Sequence, residues 1–166
     1  MMNNFKVMKG DIDNAIAVMN EVARWCEDTG KNMWTMDELS KEKLLQGIDR
    51  ENFWVGKVGH ENAAAMIVQW HDPLFWPRIE RGESGFIHKL CVRRKYSGKG
   101  LSQWMITLAM EECKKKGIRY LRLDTGWNRY KLCSLYESLG FVQVGKKTVG
   151  ERDYALYEMK ISDPIF

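Results

Sequence analysis

Apolar positions recur along this chain with two different periods, which predict both helices and strands. Over 12–26 the apolar residues recur at helical spacing, after a strand-like run over 5–8. Asp11 or Asp13 precedes the helical stretch as a candidate cap, and Gly30 follows it as a terminator. We therefore expect one strand and one helix before residue 30.

A second helix is predicted over 35–48, because Thr35 and Glu38 have the spacing of a capping box. Two strand-like runs follow, over 53–58 and 63–70. The four residues between them include glycine and asparagine, which favour a turn. The two strands are therefore expected to form a hairpin.

The centre of the chain has the pattern of a strand, a glycine loop, a helix and a second strand. The strand-like runs are 86–92 and 118–123, and the stretch between them places leucine, methionine and alanine at helical spacing. A helix over 128–138 and strands over 141–145 and 154–161 complete the pattern. The order predicts an α/β chain with a mixed, mostly antiparallel sheet and helices on both faces.

Length and composition narrow the class of protein. We expect 166 residues to form one domain over 1–166, with a core that needs neither disulfides nor metal. No apolar run reaches the length of a membrane span, and the N-terminal segment lacks the apolar core of a signal peptide, so a cytoplasmic protein with no membrane contact is expected. The three histidines are scattered and the four cysteines occur singly, so no metal site is predicted.

The net charge of +4 is mild. Nucleic-acid binding would need a broader basic face with interleaved aromatic residues, so no nucleic-acid partner is expected. A basic nucleic-acid-binding module nevertheless stays an alternative, and steep salt dependence of DNA binding would be its sign.

Gly98 and Gly100 lie in the loop where the central helix must begin. The first turn of a helix has N–H groups without helical partners and partial positive charge, and glycine lets an anion approach them. A phosphate or pyrophosphate suits this position, and a simple tight turn is the alternative. The glycines match neither a Walker loop nor a dinucleotide fingerprint. Four cations surround them: Arg93, Arg94, Lys95 and Lys99.

The run from Leu90 to Ser102 resembles motif A of the GNAT superfamily of N-acetyltransferases. The family core, Gln/Arg-x-x-Gly-x-Gly/Ala, reads Ser97-Gly98-Lys99-Gly100-Leu101-Ser102 here, so serine replaces the first and last residues of the pattern. The run from Asn128 to Phe141 resembles motif B, Asn…Leu-Tyr-Glu-x-Leu-Gly-Phe. The two motifs stand in the family's order, and the stretch from Leu90 to Phe141 that they span is about a third of the chain. Their joint occurrence is more specific than either motif alone.

The resemblance implies the GNAT fold, acetyl-CoA as donor, an amine as acceptor, and direct attack in a ternary complex without an acyl-enzyme. It implies that the pantetheine arm pairs with the central strand, which usually carries a bulge, and that Asn128 contacts the arm or a water. Asn128 as a helix cap is the rival interpretation. The residues expected to bind the donor are Leu90, Cys91, Val92, Ser97, Gly98, Lys99, Gly100, Leu101, Ser102 and Asn128.

Two residues are expected to move protons. Tyr136 matches the tyrosine of motif B and is the candidate acid for the thiolate, with a core tyrosine as the alternative. His88 on the central strand is the candidate base, since imidazole titrates near neutral pH, with a structural histidine as the alternative. Glu83 and Asp124 are weaker candidates for the base. Cys91 is not expected to be a nucleophile, because the sequence places no base beside it.

The function that these residues predict is acetyl transfer to a primary amine, with a small molecule as the favoured acceptor. A protein acceptor and a catalytically idle acyl-CoA-binding sensor are the alternatives, and Ser97 and Ser102 are the main support for the sensor. The loop over 71–78 carries Phe75 and Trp76, which either line the acceptor pocket or close the core. A homodimer is compatible with the resemblance.

Overall fold

The structure is a computed structural model, which describes residues 4–31 and 34–161. The helices and strands follow one another in the order that the apolar pattern predicts. Short 3-10 turns occur at Met36–Leu39, Arg50–Asn52 and Arg94–Tyr96. The strands and α-helices are β1 (Phe5–Lys9), α1 (Ile12–Asp28), α2 (Lys41–Leu45), β2 (Phe53–Val58), β3 (Glu61–Gln69), β4 (Ser84–Val92), α3 (Leu101–Lys115), β5 (Tyr120–Gly126), α4 (Tyr130–Ser138), β6 (Val142–Val149) and β7 (Arg152–Lys160).

The chain forms two compact units, here called unit 1 and unit 2. Unit 1 contains the residues up to Val68 together with Lys89–Ile106, and unit 2 contains Gln69–His88 together with the residues from Thr107 onward. The boundaries fall inside β4 and inside α3. The single domain predicted for 1–166 stays a prediction, because compactness does not decide whether the units fold separately.

Unit 1 is built on three antiparallel strands in the order β1-β2-β3, with a bulge between Gly56 and Lys57. The buried face of α1 packs on one side of β2 and β3, against Phe53 and Ile67. On the other side the first turn of α3 adds Leu101, which packs with Ala63. Apolar residues therefore cover both faces of these strands, which agrees with the unbroken apolar run over 63–68 in β3.

The predicted ends of α1 are confirmed. The side chain of Asp11 accepts a hydrogen bond from the N–H of Asn14 at 3.3 Å, which caps the helix. Gly30 follows the helix in the left-handed region with φ 71°, and the N–H of Lys31 donates back to the carbonyl of Cys26 at 2.8 Å. A left-handed glycine with this bond is a common way to end a helix.

The helix predicted over 35–48 is wrong. Thr35 makes no capping bond, and a 3-10 turn follows it at Met36–Leu39. Ser40 is extended, with φ −69° and ψ 138°, and its side chain accepts a hydrogen bond from the N–H of Lys43 at the start of α2. Ser40 therefore interrupts the helical backbone and caps a short helix of its own. The hairpin is confirmed with a shorter turn, Gly59–His60, between Val58 and Glu61.

Unit 2 contains a four-stranded sheet in the order β4-β5-β7-β6. β4 and β5 are parallel, as predicted for the βαβ pattern, and the other pairs are antiparallel. Four pairs join β4 to β5, from Ser84 opposite Tyr120 to Ile87 opposite Leu123. Because side chains alternate along a strand, Ile87 and Leu123 lie on one face, and the residues that follow them, His88 and Asp124, lie on the other.

Within residues 4–31 and 34–161, no helix combines the length and the apolar content that crossing a membrane requires.

Candidate active site

The glycine loop of unit 1 has the backbone that an anion site needs. Gly98 and Gly100 have φ values of 75° and 78°, and a Cβ placed on either would meet no heavy atom within 4 Å beyond the adjoining residues. The N–H of Trp104 donates to the carbonyl of Gly100 at 3.2 Å, which closes the first turn of α3. The amides of Leu101 and Ser102 precede that bond and belong to the turn whose N–H groups have no helical partner. The side chain of Leu101 is buried, so this residue presents only its backbone.

Each of the four cations near the loop contacts another group, and the ammonium of Lys99 lies 5.6 Å from the ring centroid of Tyr96. The guanidinium of Arg93 lies 3.0 Å from Glu21, and the ammonium of Lys95 lies 2.8 Å from Glu61. Arg94 stacks on the ring of Trp25, with 3.8 Å between its guanidinium carbon and the ring centroid. The expected ring of four cations is therefore a set of structural contacts around an exposed loop, with Lys99 as the cation in the loop itself.

Glu61 holds the turn that precedes the loop. It accepts hydrogen bonds from Lys95 and from the buried Tyr96. The hydrogen bond from Lys95, followed by that from Tyr96, lowers the pKa of Glu61, and the hydrogen bond to Glu61 raises the pKa of Tyr96. A charged carboxylate thus joins the two side chains that directly precede Ser97 and Gly98.

The second half of β4 departs from regular strand geometry. Lys89 has φ 53°, which is unusual for a residue with a side chain and fits the bulge that the resemblance implied for this strand. Of the residues expected to pair with pantetheine, Leu90 and Val92 are half-buried and Cys91 is buried. Burial raises the pKa of the Cys91 thiol far above its usual range, although its contact with the Ala65 backbone lowers it slightly. A thiol that resists ionisation is a poor nucleophile, as expected for Cys91.

His88, the candidate base, lies between two carboxylates of unit 2. Its Nε2 is 3.3 Å from Oδ2 of Asp72, and its Nδ1 is 3.4 Å from Oδ1 of Asp124. The side chains of His88, Asp72 and Asp124 are 16%, 6% and 14% exposed, respectively. A histidine between two acids can hold a proton at either ring nitrogen, so the cluster is suited to proton transfer.

Asp72 is the member of this cluster that sequence reasoning missed. It comes from the loop before β4, where Oδ1 accepts hydrogen bonds from the N–H groups of Leu74 and Phe75 at 3.2 and 3.1 Å. That bonding is typical of Asp before proline in a turn, and His71-Asp72-Pro73 was the available signal. The turn accounts for the backbone contacts of Asp72, but it does not indicate that the side chain also faces His88.

Asp72, His88 and Asp124 are also the types of ligand that a divalent cation takes, and one atom of each lies within 4.8 Å of the others. Nevertheless, the two carboxylates face different nitrogens of the ring. One ion can bind only one ring nitrogen, so a metal would require the other contact to break. The arrangement fits proton transfer better than metal binding.

Tyr136, the candidate acid, is buried in α4. Its ring lies 6.0 Å from that of Phe141 and 6.2 Å from that of Tyr157, both between centroids. Tyr157 is opposite Leu123 in the register, so Tyr136 packs on the face of the unit 2 sheet that His88 does not occupy. The aromatic contacts agree with a core tyrosine, and the acid role stays a prediction.

The remaining predicted residues differ in their surroundings. Asn128 is exposed and is not the cap of α4, because Arg129 occupies that position without a side-chain bond. The interpretation of Asn128 as a cap is therefore wrong. Glu83 is 45% exposed and lies 3.8 Å from Arg122, which makes it a weaker candidate for a base than the buried acids.

The aromatic residues of the loop before β4 contribute to packing in unit 2. Trp76 is buried, with its ring 6.3 Å from Phe86, and Phe75 packs edge-on to Tyr154 at 5.0 Å. Of the two roles that the sequence left open for them, core closure has these contacts in its favour.

A pocket of about 250 Å³ lies beside α4 in unit 2. At its wall the hydroxyl of Tyr157 donates to Oε2 of Glu137 at 3.0 Å. Burial, followed by hydrogen bonding to Cys133 and Glu137, raises the pKa of Tyr157 well above its usual range. Nothing in the sequence singled out Tyr157 beyond its place in the alternation of β7. The pocket is lined by Trp127, Tyr130, Cys133, Ser134, Glu137, Gln143, Ala155 and Tyr157.

Several known proteins are similar to this chain. It is 25% identical over 164 residues to a Bacillus subtilis (strain 168) protein named "Uncharacterized N-acetyltransferase YesJ", covering 92% of this chain and 86% of that protein. The PaiA N-acetyltransferase of Thermoplasma acidophilum, solved in complex with coenzyme A, matches with a TM-score of 0.72 and 21% identity over 94% of this chain and 98% of that one. YncA of Salmonella typhimurium, solved with its cofactor acetyl-CoA, has a TM-score of 0.65 and 13% identity over 98% and 96% of the two chains.

These structural likenesses show a common fold, which is the mixed α/β fold expected from the two motifs. The family assignment comes from the sequence itself, because the family model described as "Acetyltransferase (GNAT) family" matches residues 17–141. That match spans both motifs and extends into α1. The chain belongs to the GNAT family of acetyltransferases.

Proposed function

We propose that this protein transfers the acetyl group of acetyl-CoA to the nitrogen of a primary amine on a small molecule. The observation that carries the proposal is the loop before α3, where Gly98 and Gly100 adopt left-handed φ values next to the first turn of a helix. Backbone amides in such a turn bind phosphate oxygens through hydrogen bonds and the helix dipole. Coenzyme A and acetyl-CoA in the similar structures support the choice of donor.

Serine at positions 97 and 102 is compatible with this role. The contacts come from backbone N–H groups, which every residue except proline possesses. The glycines satisfy the conformational demand, and both serines are small. The departures from the family pattern therefore affect side chains that the proposed binding does not use.

Positioning and proton transfer account for the chemistry. Holding amine and thioester in reacting geometry supplies several kcal/mol of the rate enhancement, on the order of 7 or more in favourable cases. His88 takes a proton from the acceptor on one face of the unit 2 sheet, and Tyr136, on the other face, supplies one to the departing thiolate. We place the reacting groups beyond Ile87 and Leu123, the last residues of β4 and β5 that pair with each other. The amine attacks the thioester directly, and the buried Cys91 forms no acyl intermediate.

Two measurements test the proposal. Calorimetric titration with coenzyme A should show saturable binding, and a thiol-release assay with acetyl-CoA should respond to members of an amine panel. Binding without thiol release from any amine, peptides included, would favour the acyl-CoA sensor. Absence of both would refute donor binding and leave only the fold.

A further inference from the structure

The loop between β3 and β4 forms a turn of its own over one face of the unit 2 sheet. Its residues 71–82 are here called the lid. The N–H of Trp76 donates to the carbonyl of Asp72 at 3.0 Å, and the N–H of Ile79 donates to the carbonyl of Trp76 at 3.2 Å. Within the part of the chain that the structure describes, the backbone hydrogen bonds of the lid reach no residue outside 71–83. The main chain of the lid is therefore not tied into the sheet.

The lid is anchored at both of its ends. Just before it, the indole of Trp70 lies against Gly85, where an added Cβ would come within 3.1 Å of the ring. Just after it, the carboxylate of Glu83 lies 3.8 Å from the guanidinium of Arg122. Gly82 has φ 89°, and a Cβ added there would meet no heavy atom within 4 Å beyond the adjoining residues. A left-handed glycine in open space can change its dihedral angles without a clash, so Gly82 is suited to act as a hinge.

Side-chain contacts hold the lid against the sheet. The side chain of Trp76 is buried, and the ring of Phe75 packs edge-on to that of Tyr154 with 5.0 Å between centroids. Oδ2 of Asp72 faces His88, at 3.3 Å from Nε2. Because these contacts involve side chains alone, the lid can leave the sheet without breaking any hydrogen bond between strands.

The closed lid leaves polar atoms without hydrogen bonds. Nε1 of Trp76 and Oδ2 of Asp72, both on the lid, are buried and have no hydrogen-bond partner among the described residues. The same holds for Oδ1 of Asp124 on the sheet. A buried donor or acceptor of this kind loses the bond that it would make with water. This penalty opposes the apolar contacts of the lid and lowers the free energy that opening requires.

We propose that the lid opens and closes over His88 as one unit, and that its opening admits the acceptor to this residue. The side chain of His88 is 16% exposed and its Nε2 is buried while the lid is closed, so a reactant cannot reach that nitrogen without movement. The proposal rests on the proposed function for the identity of the reactant and adds the segment that controls access. Lids of this kind keep water away from a reaction and move within microseconds to milliseconds.

Chemical labelling of His88 measures the opening of the lid without any acetyl transfer. Diethyl pyrocarbonate reacts with accessible imidazoles, and mass spectrometry of the digested protein gives a rate for each histidine. Because labelling of His88 requires the open lid, we expect it to be at least about tenfold slower than labelling of His60, which is exposed at the hairpin turn.

Two neighbouring substitutions test whether the packing of the lid controls this rate. Phe75→Ala removes the contact with Tyr154 and should raise the labelling rate of His88 about fivefold, since the aromatic pair stabilises the closed lid. Leu74→Ala is the matched control, because the side chain of Leu74 is 55% exposed and its loss should leave the rate unchanged. Alkylation of the buried thiol of Cys113 in α3 reports unfolding of the unit and should be equally slow in both variants.

The outcomes separate this proposal from the proposed function. Labelling of wild-type His88 as fast as that of His60 would overturn the lid, and so would an unchanged His88 rate in Phe75→Ala or an equal rise in Leu74→Ala. A rise that alkylation of Cys113 follows would also overturn it, because unfolding would then expose the histidine. Failure of every amine to release thiol would refute the proposed function and the role of the acceptor, whereas the labelling rates would still establish the movement of the lid.

Discussion

The glycine loop of unit 1 and the His88 cluster of unit 2 differ in which atoms would carry the roles proposed for them. The loop uses the backbone of consecutive residues, with the left-handed Gly98 and Gly100 at its centre. The cluster uses three side chains from separate segments of the chain, Asp72, His88 and Asp124. Backbone recognition tolerates many side chains but is sensitive to φ. Recognition through side chains depends instead on the functional group. Replacing a carboxylate with an amide, for example, removes a charge while the shape of the side chain is kept.

The largest expected effect comes from the ring of the cluster. His88→Gln removes the candidate base but keeps a polar side chain of similar length, so kcat should fall on the order of 10²–10⁴-fold, the usual contribution of acid–base catalysis. Steady-state kinetics measures the fall, and calorimetry should show an unchanged Kd for coenzyme A. His60→Gln, at the exposed hairpin turn, is the control and should behave as wild type. An equal kcat for His88→Gln would leave the ring with a structural role.

Tyr136→Phe tests whether the hydroxyl of this α4 residue acts as the proposed acid. Phenylalanine keeps the ring contacts with Phe141 and Tyr157 but removes the hydroxyl, so kcat should fall about 10²-fold with coenzyme A affinity retained. Tyr130→Phe provides a matched control, because Tyr130 is 73% exposed on the same helix. Full activity of Tyr136→Phe would assign this residue to the core alone.

Gly98→Ala tests the proposed phosphate binding by the backbone of the glycine loop. The φ of 75° is strained for alanine by about 1–2 kcal/mol, although the surrounding space is open. Relief of that strain should shift the loop and weaken coenzyme A binding about tenfold, measured by calorimetry. Gly30→Ala carries the same strain at φ 71°, after α1, and should lower stability without changing the affinity. Equal affinities of the two variants would argue against the loop as the phosphate site.

The smallest effect is expected where a side chain merely supports the loop. The pKa of Glu61 is lowered from its ordinary value of 4.5 by Lys95 and then by Tyr96, so its contribution to stability is present above that value and is lost as pH falls through the lowered one. Glu61→Gln should therefore have a slightly lower urea midpoint than wild type at neutral pH, with the difference vanishing once the pH is below the lowered pKa. A difference that persists at such low pH would mean that the charge of Glu61 is not its cause.

The comparison also explains what the sequence could predict. Residues that act together and lie together in the chain are visible as a pattern, and the loop before α3 and the cap at Asp11 are examples. Asp72 could not be predicted, because nothing in its own turn points to a histidine sixteen positions later. The same limit applies to the basic residues near the loop, whose partners Glu21, Glu61 and Trp25 come from other segments.

Local patterns also compete with one another. Thr35 and Glu38 have the spacing of a capping box, yet Ser40 is an equally good cap five residues later and α2 begins after it. Propensity at this level differs by less than about 1 kcal/mol between alternatives, so packing decides the outcome. Asn128 is a second example, because asparagine is a good capping residue but lies one position before Arg129, the N-cap of α4.

The left-handed backbone at Lys89 reverses the usual ranking of amino acids at one point of β4. Glycine normally weakens a strand, yet at this position it would remove a steric penalty of about 1–2 kcal/mol and so offset its own entropic disadvantage. β-branched residues, the best strand formers elsewhere, would be the worst choice here. Substitution tables built for regular strands should therefore misjudge this residue, immediately after the histidine on which the proposed chemistry depends.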